Sequence, residues 1–178
     1  NGQDFTKMDL EVPVFIFDTD ILDELEERKD RRVEFIHLAL QEMQQKLIKL
    51  GSTLDVRYGK PLTVYQQLAK DYTIEAVYTN HDYEPYAKER DAAIGEWLKK
   101  EGISFQTFKD QVILEKEEVL KDDGKPYTVF TPYSRRWKAT LKPFHLKSYP
   151  TEKCFSNFFK QPENQIRPLA KMGFESAG

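Results

Sequence analysis

The sequence predicts an α/β protein in which helices cover both faces of a parallel sheet, and three observations lead to this prediction. Short apolar segments alternate with longer segments whose apolar residues recur at helical spacing. The connections between these segments are short, and parallel strands need a helical crossover between them. Proline and glycine stand where the predicted helices begin and end.

Four segments have the length and the β-branched or aromatic content of buried strands. The first, "VPVFIFD", is an apolar run that ends in Asp18, and the second, "TLDVRYG", alternates apolar and polar side chains. The predicted strands are residues 12–18, 53–59, 74–79 and 103–108.

The longest predicted helix follows the charged segment "DTDILDELEERKD", which we interpret as a loop or a frayed segment. Gly51 ends this helix, and Pro61 is placed to begin the next one. The apolar face predicted for the longest helix is Ile36, Leu40, Met43, Leu47 and Leu50. A third helix is predicted from Ala87, Ile94, Trp97 and Leu98.

The pattern changes after residue 110. The segment "TPYSRRWKATL" predicts a short helix that is capped by Thr131 and has Pro132 at its first position. Residues 142–178 are rich in Pro, Lys and Phe without a clear period, which predicts an extended linker. Its aromatic residues favour contact with a partner surface, such as a second domain. We therefore divide the chain into a domain over residues 1–141 and a linker over residues 142–178.

Composition excludes several classes of protein. A chain of 178 residues suits one domain with a tail, and its net charge of −3 lacks the excess of Lys and Arg that neutralises DNA phosphates. The single cysteine, Cys154, excludes a disulfide framework and favours a reducing compartment. The sequence has neither a membrane-spanning apolar run nor a signal peptide, so we expect a soluble, cytoplasmic protein that does not bind membranes.

Ligands of open α/β sheets bind beyond the carboxyl ends of the strands. The segment "NHDYEPYAKERD" (80–91) puts Asp82 and Glu84 at such an end. These carboxylates can accept hydrogen bonds from a polar cofactor, or they can cap the following helix and interact with its dipole. His81 and Asp82 have the residue types of an acid–base pair, but neighbours in sequence rarely face each other in the required geometry.

No metal-ligand spacing and no nucleophile constellation emerges from the sequence. The glycine-rich fingerprints of dinucleotide and nucleoside-triphosphate sites are also absent. The residues therefore favour a binding module over a self-contained catalyst.

Two motifs are more specific than the fold pattern. The pattern G-x-x-Y-x-V-F-T-P-[FY]-x-x-x-W is matched by Gly124, Tyr127, Val129, Phe130, Thr131, Pro132, Tyr133 and Trp137. The pattern Y-E-x5-R-D is matched by Tyr83, Glu84, Arg90 and Asp91. Together with "PVFIFD", these motifs resemble the N-terminal α/β domain of the DNA photolyase/cryptochrome family over almost all of residues 12–141.

The resemblance implies a Rossmann-like (HUP-type), doubly wound sheet of about five parallel strands that can hold a light-harvesting antenna chromophore. It also implies a deoxyribodipyrimidine photolyase, a carbon–carbon lyase that repairs cyclobutane pyrimidine dimers in DNA under light. In such an enzyme FAD lies in a C-terminal helical domain, and the damaged dinucleotide is flipped out of the duplex into that domain.

The resemblance also implies a set of site residues. The pattern D-x-E-P-Y, here Asp82, Glu84, Pro85 and Tyr86, is similar to that of members whose antenna is a deazaflavin or a flavin. Folate-antenna members carry Asn-Glu where this chain has Tyr86–Ala87, which argues against methenyltetrahydrofolate. By their position, Phe17 and Arg32 are further candidates for the same pocket.

Two parts of the family pattern are not found in the 178 residues. One is the opening strand of the type W-F-R-R-D-L-R, central to the sheet, and the other is the helical FAD domain. We therefore expect a truncated chain, further residues before Asn1, or an internal break near the first ten residues, and in each case a chain that is inactive in repair by itself. The same domain of a cryptochrome light receptor remains an alternative, because the discriminating residues lie in the helical domain. A free-standing Rossmann-like nucleotide-binding module is a further alternative, which the long G-x-x-Y motif argues against.

Overall fold

The computed structural model describes residues 10–178, and these form two compact units. The first unit combines the described residues of Asn1–Asp71 with Pro150–Gly178, and the second unit is Tyr72–Tyr149. Each unit contains one two-stranded parallel sheet. The α/β class with parallel strands is thus confirmed, although the four strands among residues 10–178 form two pairs. The strand expected before residue 12 would lie largely outside the described residues.

The first unit contains the first two predicted strands and the helices that follow them. Its elements are β1 (Val14–Asp18), α1 (Thr19–Leu22), α2 (Arg31–Lys49), β2 (Asp55–Gly59) and α3 (Pro61–Asp71). β1 and β2 pair in parallel, with Val14 opposite Asp55 and Asp18 opposite Gly59. The predicted loop after β1 is wrong for its first residues, because the Asp18 carboxylate accepts the Asp20 N–H at 2.9 Å and caps the short helix α1.

Helix α2 buries a different face from the predicted one. Its buried residues are Val33, His37, Leu40, Gln44 and Leu47. Ile36 and Met43 are 38% and 48% exposed, so their placement in the core was wrong. His37 and Gln44 can occupy core positions because each forms a hydrogen bond with a backbone carbonyl, of Arg167 and Asn164 respectively.

Residues from the predicted linker complete the core of the first unit. The buried residues of this core are Phe17, Leu22, Val33, Leu40, Leu47, Leu54, Met172 and Phe174. Within the linker, Thr151–Asn157 and Leu169–Met172 form 3₁₀ helices. Phe158 also forms an isolated parallel bridge with Glu11. Residues 150–178 therefore pack on the first unit, while their role as an interdomain linker stays a prediction.

The second unit holds the third and fourth predicted strands. Its elements are β3 (Ala76–Asn80), α4 (Pro85–Lys100), β4 (Ser104–Phe108), α5 (Phe130–Thr140) and the 3₁₀ helices Lys116–Glu118 and Pro143–Leu146. β3 and β4 pair in parallel, from Ala76 opposite Ser104 to Asn80 opposite Phe108. Gly95 lets α4 approach this sheet closely, because a Cβ there would lie 3.0 Å from the Phe105 ring.

Helix α5 begins earlier than the sequence predicts. Its N-cap is Val129, whose carbonyl accepts the Tyr133 N–H, so the prediction of Thr131 as the cap is wrong. Pro132 is tolerated inside the first turn because the N–H groups of that turn need no helical partner. Over residues 10–178, no helix has both the length and the apolar character that a membrane crossing requires.

Candidate functional site

The candidate site is the loop that joins β3 to α4. The His81 N–H donates to the Phe108 carbonyl at 2.7 Å, so pairing with β4 continues one residue beyond β3. Pro85 is the first residue of α4, and Glu84 occupies the N-cap position with extended backbone angles. The loop is therefore the segment 81–84, fixed at both of its ends, and we call it the acidic loop.

The structure separates the two interpretations of the acidic residues. Asp82 Oδ1 accepts the Glu84 N–H at 3.1 Å, a turn within the loop itself. Glu84 is exposed, and its side chain makes no capping hydrogen bond to α4. Neither carboxylate caps the helix, which leaves both with acceptor capacity for another group.

No positive charge neutralises these two acids within the described part of the chain. Every ion pair among residues 10–178 involves other carboxylates: the nearest in sequence joins His81 to Glu115, and Arg90 pairs with Asp91 on α4 itself. The acidic loop therefore presents two acceptors that can receive N–H or O–H groups from a ligand.

The two other residues of the acidic loop, His81 and Tyr83, both form hydrogen bonds with Glu115. The Tyr83 hydroxyl donates to Glu115 Oε2 at 2.5 Å, and the His81 Nδ1–H donates to the same oxygen at 3.0 Å. These two bonds hold the pKa of Glu115 below its usual range, and the bond from Tyr83 has the larger effect. The same Tyr83–Glu115 bond raises the pKa of Tyr83 to about 12.

His81 and Asp82 do not form an acid–base pair, as expected for neighbours in sequence. The His81 ring contacts Glu115 through Nδ1, and its Nε2 lies 2.9 Å from the Thr107 hydroxyl. Glu115 was not predicted, because it lies in the charged segment "EKEEVLKDD", which has no spacing that relates it to His81.

The structure places the other two candidates, Phe17 and Arg32, in the first unit. Phe17 is 4% exposed and packs edge-on against the Phe15 ring at 5.0 Å, as a core residue does. The Arg32 guanidinium forms two bonds with the carboxylate of Asp30, the N-cap residue of α2. Both residues thus have structural roles in this unit, and a binding role for them stays a prediction.

The comparisons with known proteins agree with the motifs of the sequence. The family model described as DNA photolyase matches residues 8–153, which is most of the chain. The chain belongs to the DNA photolyase family. Deoxyribodipyrimidine photo-lyases from a Synechococcus species and from Halobacterium salinarum are 37% and 34% identical over 121 and 125 residues. These matches cover 68% and 70% of this photolyase-family chain.

The aligned part is about a quarter of each relative's length, 25% in both cases. Cryptochromes match at lower identity, 24% for Cryptochrome-1 of Erithacus rubecula and 27% for Cryptochrome-2 of Gallus gallus.

Solved photolyase structures share the fold. A bacterial class III photolyase from Agrobacterium tumefaciens superposes with a TM-score of 0.64 at 23% identity, over 74% of this chain and 27% of that one. An archaeal photolyase from Sulfolobus tokodaii, solved with two FAD molecules, superposes with a TM-score of 0.57 at 28% identity. That second match covers 64% of this chain and 26% of the archaeal one.

Proposed function

We propose that this chain is the light-harvesting part of a deoxyribodipyrimidine photolyase and that Asp82 and Glu84 bind its antenna chromophore. The observation that carries the proposal is the acidic loop, where two carboxylates at the carboxyl end of β3 have neither a cation nor a helix-capping bond. In open α/β proteins this end of the sheet is where ligands bind.

The chemistry of the acidic loop fits a flavin or deazaflavin better than a phosphate-rich ligand. Carboxylates accept hydrogen bonds from ring N–H groups and from hydroxyls, whereas they repel phosphate oxygens. A bound chromophore of this kind would absorb light and pass the excitation energy to the catalytic flavin. The archaeal relative supports this choice, since its structure was described with two FAD molecules that imply a novel light-harvesting cofactor.

The remaining parts of the activity belong to the rest of a photolyase. We place the FAD that drives repair, and the surface for damaged DNA, outside these 178 residues, since the aligned part is only 25% of each relative. The exposed thiol of Cys154 is consistent with the cytoplasmic location that we propose.

A binding experiment tests the acidic loop directly. The purified chain is titrated with FMN, FAD and a deazaflavin, and binding is followed by absorption and fluorescence. We expect the double variant Asp82→Asn, Glu84→Gln to bind at least about tenfold more weakly, because neutral amides form weaker bonds than carboxylates to N–H and O–H donors.

Glu96→Gln is the matched control, since it removes one exposed acid from α4 in the same unit. Equal chromophore binding by the double variant and by this control would contradict the proposed site. No binding by the unaltered, folded chain to any of the three probes would contradict the antenna function.

A repair assay separates light harvesting from repair itself. In the intact protein that contains this chain, the double variant should slow dimer splitting at wavelengths absorbed by the antenna alone. The rate under direct excitation of FAD should not change. An intact protein that binds the chromophore but never splits dimers would favour the cryptochrome alternative.

A further inference from the structure

We infer that Glu115 is a positioning residue of the antenna site, which fixes the acidic loop so that Asp82 and Glu84 meet the chromophore in one geometry. This inference rests on the proposed function of the loop and adds a residue that does not touch the ligand. Affinity for the chromophore would then depend also on the segment that follows β4, in which Glu115 lies.

The anchors alternate along the loop with the acidic residues. His81 and Tyr83 both donate to one atom, Oε2 of Glu115, whereas Asp82 and Glu84 make no bond to it. A loop that is tied at every second residue loses most of its backbone freedom before any ligand arrives. Binding then costs less conformational entropy, which is the physical content of preorganisation.

Glu115 is itself fixed. Its N–H donates to Glu118 Oε2 at 2.6 Å, and that carboxylate also pairs with Lys109 at 2.6 Å. The next residue, Lys116, has φ of 47°, a conformation that residues other than glycine rarely adopt. The Glu115 side chain is only 15% exposed, so water competes weakly for its bonds.

The second anchor of His81 makes the arrangement rigid. Its Nε2 lies 2.9 Å from the Thr107 hydroxyl on β4, while its own N–H is bound to Phe108. His81 thus connects the strand pair to Glu115, and Tyr83 connects the middle of the loop to the same carboxylate. Loss of the Glu115 acceptor would remove the bond of the Tyr83 hydroxyl and one of the two ring bonds of His81.

The test uses three substitutions of matched size in the same segment. Glu115→Leu keeps most of the bulk and removes the acceptor. Glu115→Gln keeps a carbonyl oxygen that can receive both donors, because both bonds end on a single oxygen. Glu117→Leu is the control, since Glu117 is exposed beside them in sequence. Circular dichroism and thermal unfolding establish that each variant is folded.

The first readout is the dissociation constant for the flavin or deazaflavin that the unaltered chain binds. We expect Glu115→Leu to weaken binding about tenfold or more, and Glu115→Gln to restore it to within about threefold of the original. A structural role without positioning would lower the unfolding temperature but leave the affinity of the folded fraction unchanged.

The second readout needs no ligand. Tyr83 should titrate at a pKa of about 12 in the unaltered chain, because Glu115 stabilises its protonated form. In both Glu115→Leu and Glu115→Gln this pKa should fall, since the negative charge is lost. The Tyr83→Phe variant assigns the signal among the nine tyrosines.

Unchanged affinity in Glu115→Leu would overturn the inference while leaving the antenna site intact. Equal loss in Glu115→Gln and Glu115→Leu would overturn it as well, because the acceptor oxygen would not be the relevant feature. If the unaltered chain binds none of the chromophores, the proposed function fails and the positioning role fails with it. A normal tyrosine titration in the unaltered chain would overturn the geometry on which the inference stands.

Discussion

The carboxylates of the first unit and those of the acidic loop differ in what surrounds them. Asp30 and Asp55 are 7% and 1% exposed, and each is held by an arginine two residues later in the chain. In the second unit Asp82 is half-buried and Glu84 is exposed, and neither forms an ion pair within residues 10–178. Buried charges stay in a fold only when they are paired, whereas exposed and unpaired charges contribute little to stability.

This difference distinguishes structural acids from candidate binding acids without reference to sequence motifs. A paired, buried acid should matter for stability and not for ligand binding. An exposed acid with spare acceptor capacity should matter for binding and not for stability. The following predictions test this contrast, from the largest expected effect to the smallest.

Replacing Arg57 should cause the largest loss of stability. Arg57 forms a two-bond pair with Asp55, at 2.6 and 2.7 Å, and a further pair with Asp71 at 2.9 Å. Arg57→Met leaves the buried Asp55 carboxylate without this cation, which should cost about 3 kcal/mol in the free energy of unfolding. Urea unfolding measures it, with Arg135→Met as the exposed control. A loss as small as that of the control would refute the structural role of the pair.

Replacing Gln44 should have the next largest effect. Its amide donates to Thr53 Oγ1 at 2.6 Å and to the Asn164 carbonyl at 2.5 Å, and its oxygen accepts the Leu54 N–H at 2.7 Å. Gln44→Leu leaves the buried Leu54 N–H without this acceptor, which should cost about 2 kcal/mol. Gln45→Leu, one position along α2 and exposed, is the control in the same unfolding measurement. Equal stability of the two variants would count against the network.

Acid should weaken the pairing of Asp30 before it unfolds the chain completely. The bond from Arg32, above all, lowers the pKa of Asp30 to about 2. Because the folded-state pKa is depressed, this stabilisation is present above about pH 4 and is lost as the pH falls towards 2. In Asp30→Asn, which can still cap α2, the unfolding free energy should fall less steeply over that range. Parallel curves for the two proteins would show that Asp30 does not contribute.

The acidic loop should show the smallest effect on stability. The double variant Asp82→Asn, Glu84→Gln should unfold within about 0.5 kcal/mol of the original chain, as surface substitutions usually do. The same urea experiment measures this. A loss comparable to that of Arg57→Met would mean that the loop acids stabilise the fold. The contrast between structural acids in the first unit and candidate binding acids in the loop would then be contradicted.

The sequence was sufficient to predict the four strands and the longer helices between them, but not the buried face of α2. The spacing of Leu40 and Leu47 identified the helix, and Ile36 and Met43 continued an equally regular apolar pattern. The true face carries His37 and Gln44, whose backbone partners lie 130 and 120 residues later in the chain. A local pattern cannot contain such partners, so these two polar residues were not predicted in the core.

The same limit applies to the site. Asp82 and Glu84 were predictable because strand ends in parallel sheets are where ligands bind, and strand ends are visible in sequence. Glu115 was not predictable, since it meets His81 across 34 residues through a loop without periodicity. Candidate binding residues at a strand end thus leave a local signal, whereas a residue that reaches the same loop from a distant segment leaves none.

The burial of Met172 and Phe174 in the core of the first unit has a consequence for biosynthesis. Strands β1 and β2 leave the ribosome early, yet the residues that close their core are made about a hundred residues later. The second unit is contiguous in sequence and is complete before those residues exist. During synthesis the first-unit strands therefore have apolar surface uncovered for longer, and a chain that stops before Met172 would lack two of the eight buried residues of that core.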